Sequence, residues 1–179
     1  MAGLLFLPVF YILIIQAPYR LSRITSFLNP WDDPQGSGFQ IIQSFLAFGL
    51  GGLKGVGLGQ GMQKLFYLPS SYNDFIFSVI GEELGLVGTG MVVILYAIIF
   101  ICGVLIAEKL HQDYEKLIVI SLTLLIVLQA VIHMLVTTGL MPTKGLPLPF
   151  VSFGGTSMVF SMMAVGLLLG VDRHVRGRR

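Results

Sequence analysis

Asp74 stands in the polar stretch YLPSSYNDFIF, between two long apolar segments, and Glu82 and Glu83 follow close to where the second segment enters lipid. Ionisable side chains beside a membrane span are costly unless they serve a wet cavity, so these acids read first as a functional site. A carboxylate held in such a cavity can accept a proton from a substrate hydroxyl or hold a cation. The second chemical stretch is TTGLMPTKGLPLPFVSFGGTSM, where Lys144 and the hydroxyls of Ser152, Thr156 and Ser157 supply polar atoms. Pro142, Pro147 and Pro149 forbid a regular helix there. Non-helical backbone near membrane depth survives when buried in protein or lining water, so this stretch reads as a re-entrant loop. A helix opening at GGTSM would present free N–H groups and a positive dipole end to an anion such as phosphate, and Lys144 would add a full charge.

The elements that must position these groups follow from composition. The 179 residues are 55% hydrophobic and 11% charged, with mean hydropathy +0.86. Soluble domains carry about 25% charged residues, so a chain this apolar is an integral membrane protein. No basic stripe interleaved with aromatics suggests nucleic acid as a partner. The single Cys102 excludes an internal disulfide and a cysteine metal cluster. MAGLLFLPVFYILII lacks a basic n-region and a small-residue cleavage site, and reads as a span.

At about 20 residues per crossing, five spans are predicted, at about 2–18, 38–53, 84–107, 117–138 and 155–171, the third with a lead-in turn from Phe75. The fold class is therefore an all-α polytopic transmembrane bundle with irregular outward loops. Five spans put the loops at 19–37 and 108–116 and the tail at 172–179 on one side, with eight of the eleven basic residues. The positive-inside rule makes that side cytoplasmic and turns 54–83 and 139–154 outward. Met1 then lies outside, which predicts missing upstream spans and a C-terminal part of a longer protein. The outward stretch GLGGLKGVGLGQG has seven glycines in thirteen positions. It fits no nucleotide loop, and is either a flexible crossing or a place of close backbone approach.

RLSRITSFLNPWDDPQGSGFQIIQS, GLGGLKGVGLGQGMQKLFYLP, NDFIFSVIGEELG and TGLMPTKGLPLPFVSFGGTS together resemble, in order, the FtsW/RodA/SpoVE (SEDS) family. FLNPW, QKL and PTKGLPLPF are closer to its division branch than to the elongation branch. The resemblance implies ten spans, of which this chain would hold the sixth to tenth, in the bacterial plasma membrane with the C-terminus cytoplasmic. It implies a peptidoglycan glycosyltransferase that polymerises lipid II and releases undecaprenyl pyrophosphate. The implied partners are a class B penicillin-binding protein transpeptidase and other membrane proteins of the division machinery. The family's essential loop aspartate falls on Asp74 and its lysine before GLPLPF on Lys144. Gln63 and Lys64, with Glu82, Glu83, Ser152, Thr156 and Ser157, complete the expected substrate-contacting set. A divalent cation, Mg²⁺ or Mn²⁺, at Asp74 is compatible with that chemistry, and no organic cofactor is expected. Ser70, Tyr72 and Asn73 stand where the family has glutamate, histidine and threonine, and His133 where asparagine is common.

Structural explanations compete at each position. Asp74 could cap the helix it precedes. Glu82 and Glu83 could mark the interface or pair with Lys64. Gly81 with Gly85, and Gly166 with Gly170, have the spacing of close helix packing. His133 could be a hydrogen-bonded interior residue near Gln129. Arg173 to Arg179 suits a stop-transfer anchor. A flippase for lipid-linked precursors and a non-catalytic division scaffold are the rival functions.

Overall fold

A computed structural model describes residues 23, 25–36, 38–62 and 73–176. The expected all-α bundle is observed: helices α1 (Phe39–Gly51), α2 (Ile76–Glu108), α3 (Asp113–Thr137) and α4 (Gly155–Arg176), a 3₁₀ turn at Pro30–Asp32, and no strand among the described residues. The segment expected to span at 2–18 lies outside them. Among the described residues three helices are long and apolar enough to cross a membrane, namely α2, α3 and Gly155–His174 of α4. Their outer faces expose Val87, Ile94, Leu128 and Phe160, as contact with lipid requires. Inside, Phe77, Tyr96, Ile126, Ala130, Leu148 and Ala164 form one buried cluster, and Ala107, Leu110, Val119 and Leu168 a second. Gly103 lets α2 approach Thr123 of α3 closely. Gly166 and Gly170, expected as a packing pair, face open space among the described residues.

Helix α2 is two helices meeting at a corner. Gly85 has φ 66 and ψ −158, a conformation open essentially to glycine alone. Phe77 lines the same groove as Val93 and Ile94. In a straight helix Phe77 and Ile94 would stand about 25 Å apart, so the chain folds back at Gly85. The corner breaks the helical ladder, and the glycine-rich loop repairs it. Val56 and Gly57 donate to the carbonyls of Glu82 and Glu83, both at 3.0 Å, while Leu86 and Val87 donate to Gly52 and Leu53 at 2.9 and 3.4 Å. Buried backbone groups must find partners, and here one loop supplies four. The loop is therefore a site of close backbone approach, not a slack crossing.

The predicted span at 38–53 needs correction. Helix α1 has 13 residues and rises about 20 Å, too short for a hydrocarbon core of about 30 Å. It lies across one end of the bundle. Ser44 Oγ donates to Thr137 O at 2.6 Å, Phe45 meets Gly139, and Gly51 abuts Gly81 beside the corner. Arg23 Nη1 donates to Thr143 O at 3.0 Å. Residues 23–36 thus share an end with the 139–154 loop, and the assignment of 19–37 to the opposite face does not hold. With Arg23 on this end, the basic residues no longer segregate eight to three between the two faces. Hydropathy misleads here because a helix lying at an interface is as apolar as a short span. In a Cys102→Ser background, Gln35→Cys and Met141→Cys should react with a membrane-impermeant thiol reagent from the same side. Gln112→Cys should react from the other; labelling of positions 35 and 112 from one side would refute this arrangement.

Candidate active site

Asp74 begins the turn that leads into α2. The cap position is Phe75 and no side chain caps the helix, so the capping explanation of Asp74 is not what is observed. Phe75 and Phe77 are buried and root this turn in the bundle, leaving the Asp74 side chain half-buried beside the proline-rich loop. A Cβ built on Gly145 would stand 3.3 Å from Asp74 Oδ2 and 3.7 Å from Oδ1, so the loop backbone lies against the carboxylate. Lys144 is the next residue, with an exposed side chain and a carbonyl that accepts from Leu146 N at 2.8 Å. The structure therefore joins Asp74 and Lys144 in one seam, although 70 positions separate them in the chain.

Ser152 closes the seam. Its hydroxyl accepts from Leu148 N and donates to Asn73 O, each at 2.7 Å, which ties the loop to the residue before Asp74. Phe150 between them takes φ 66, a left-handed conformation that costs a bulky residue about 1–3 kcal/mol and needs such support. Ser152 was expected to line the site, and it is instead a buried fastener. Ser152→Ala should lower stability by about 1–3 kcal/mol, because it strands the buried Leu148 N–H. Thermal unfolding in detergent measures this; an unchanged midpoint would remove the fastening role.

Three further side chains hold the loop. His133 Nδ1 lies 2.7 Å from Leu146 O, Gln129 Nε2 donates to Pro147 O at 2.8 Å, and Tyr96 OH donates to Pro149 O. No motif marks Tyr96; its signal in the sequence is a phenol inside the apolar run VVILYAIIF, where a buried hydroxyl must find an acceptor. Arg23 at the loop's edge escapes sequence reasoning because the charge rule placed it on the opposite face.

The remaining candidates are elsewhere. Glu82 is 1% exposed, and its Oε1 accepts from Met62 N at 2.9 Å. The expected substrate contact of Glu82 thus gives way to a carboxylate enclosed by the glycine-rich loop. Glu83 is half-buried, and its backbone carbonyl serves the same loop. Thr156 is exposed and Ser157 half-buried in the first turn of α4. Gln63 and Lys64, with Ser70 and Tyr72, lie outside the described residues. Among the described residues no three His, Cys, Asp or Glu side chains converge on a metal position.

Comparison with known proteins identifies the family and the fold. The family model described as cell cycle protein FtsW/RodA/SpoVE matches residues 1–177. Stage V sporulation protein E of Bacillus subtilis is 48% identical over 174 residues, covering 97% of this chain and 48% of that protein. The probable peptidoglycan glycosyltransferase FtsW of Geobacter sulfurreducens is 45% identical, covering 98% of this chain and 47% of its own length. A chain from a peptidoglycan synthase complex that coordinates polymerization and crosslinking superposes with TM-score 0.71 at 28% identity, over 97% of this chain and 48% of that one. The chain spans about half the length of the curated relatives it matches. With the motifs in order, the shared fold and a match across nearly all of its residues, the chain belongs to the FtsW/RodA/SpoVE family of multi-pass membrane proteins.

Proposed function

We propose that this chain carries the catalytic half of a peptidoglycan glycosyltransferase that polymerises lipid II. The observation that carries this reading is the seam in which the loop backbone at Gly145 lies against the Asp74 carboxylate, with Lys144 beside it. In this reading the end bearing the seam faces outward, where a glycan polymer is built. The described basic residues divide four to three, with Lys109, Lys116, Arg173 and Arg176 opposite Arg23, Lys54 and Lys144, so the direction rests on the proposed reaction and not on charge. Names borne by the relatives support the polymer, and the synthase complex supports a penicillin-binding protein as partner.

The reaction forms a bond between an acceptor sugar hydroxyl and the donor's anomeric carbon while lipid pyrophosphate departs. A neutral hydroxyl is a weak nucleophile, and Asp74 accepts its proton as the new bond forms. Lys144 and the first turn of α4 stabilise charge developing on the pyrophosphate. One displacement inverts the anomeric carbon and requires no covalent enzyme intermediate. A divalent cation bound at Asp74 together with the substrate's phosphate oxygens would supply further neutralisation of the leaving group. The test is polymer formation from lipid II by the full-length protein with its transpeptidase partner, comparing wild type with Asp74→Asn. Unchanged polymer yield would exclude Asp74 as the base. Translocation without any polymer from wild type would favour a flippase.

A further inference from the structure

We propose that Tyr96, Gln129 and His133 are positioning residues that set the proline-rich loop against Asp74. This inference rests on the reading of Asp74 as the base. Pro147 and Pro149 have no N–H, so the loop cannot build a backbone ladder of its own. Its carbonyls at 146, 147 and 149 instead each meet a side chain from a membrane helix. Gln129 and His133 are four residues apart and share one face of α3, with Tyr96 opposite them on α2. Along α3 the anchors run from Gln129 to His133 while the carbonyls they meet run from 147 back to 146, so loop and helix pair antiparallel and two adjacent carbonyls fix register as well as depth. The Leu146 anchor adjoins Gly145, so it governs how far the backbone stands from the Asp74 carboxylate.

The His133 contact is a donation from Nδ1, since a carbonyl only accepts. Nε2 is buried and meets no partner among the described residues. The ring is therefore used at one nitrogen, and an asparagine amide, which reaches the Nδ1 position, should serve in its place. Leucine should not.

The experiment uses the full-length protein with its transpeptidase partner. Tyr96→Phe, Gln129→Glu and His133→Leu should each lower kcat by about 10–100-fold with KM for lipid II within about twofold, as expected when a reacting group is misplaced by about 1 Å. His133→Asn should restore most of the rate, and none of the variants should add to the loss caused by Asp74→Asn. Geometry is read separately in a Cys102→Ser background carrying Asp74→Cys and Gly145→Cys. The Gly145 Cβ position, 3.8 Å from Asp74 Cγ, puts this pair within reach of a disulfide. Cross-linking should be efficient with the three anchors intact and fall with Gln129→Glu or His133→Leu. Undiminished cross-linking in both variants overturns the proposal whatever the rates. Diminished cross-linking, together with normal polymerisation by Asp74→Asn, keeps the positioning role and refutes the base.

Discussion

Asp74→Asn should lower lipid II polymerisation by about 10²–10⁴-fold, the range in which general bases contribute. The substitution keeps size and shape and removes the capacity to take a proton. It should leave the fold intact, because Asp74 caps no helix and the turn is held by other groups: buried Phe75, buried Phe77, and the Ser152 bond to Asn73 O. The melting midpoint in detergent is then unchanged while kcat collapses. KM should move little, because the proposed pyrophosphate contacts, Lys144 and the start of α4, are left unchanged. A loss of rate accompanied by an equal loss of folded protein would assign Asp74 a structural role. A normal rate would leave the flippase and scaffold readings in place.

What was legible in the sequence divides along physical lines. Apolar runs of 20 or more residues announce helices, and α3 and α4 begin close to where hydropathy places them, at Asp113 and Gly155. The proline-rich loop was legible because proline denies helix regardless of context, and Asp74 because a carboxylate at such a place is expensive. The pairing of Asp74 with Gly145 was not, since no local rule relates residues 71 positions apart. Helix α1 was misread for a related reason: apolarity measures burial or lipid contact, not direction, and the difference between crossing and lying flat is decided by Thr137, Gly139 and Gly81. Glycine density at 49–61 fitted a flexible crossing as well as a close approach, because composition does not name the partner, which is the broken ladder at Gly85. Glu82 shows the limit from the other side. Its acidity suggested a substrate, yet its buried carboxylate accepts from Met62 N at the end of that same loop.

The corner should be the least replaceable backbone position in the molecule, and Gly85→Ala should destabilise it by about 2 kcal/mol or more. A side chain at φ 66 and ψ −158 costs about 1–3 kcal/mol before any contact is considered. Its Cβ would then collide with Gly55 N and stand 2.7 Å from the carbonyl of Leu53, and both are backbone, so no rotamer relieves the clash. Overpacking of this kind adds about 1–3 kcal/mol. The chain can escape by straightening toward a regular helix, but that discards the four bonds through which the loop at 52–57 satisfies Glu82, Glu83, Leu86 and Val87. It also carries Asp74 away from Gly145, since the short helical piece from Ile76 to the corner carries Asp74 at its base. Gly85→Ala should therefore lower the melting midpoint and polymerisation together, and expose 52–62 to protease. Gly90→Ala, one turn further along the same helix with open space at its Cβ, is the control. There the exchange should be neutral or stabilising by about 0.5–1 kcal/mol, the ordinary preference of a helix interior for alanine. Equal behaviour of the two variants would mean that the corner at Gly85 does not organise this end of the bundle.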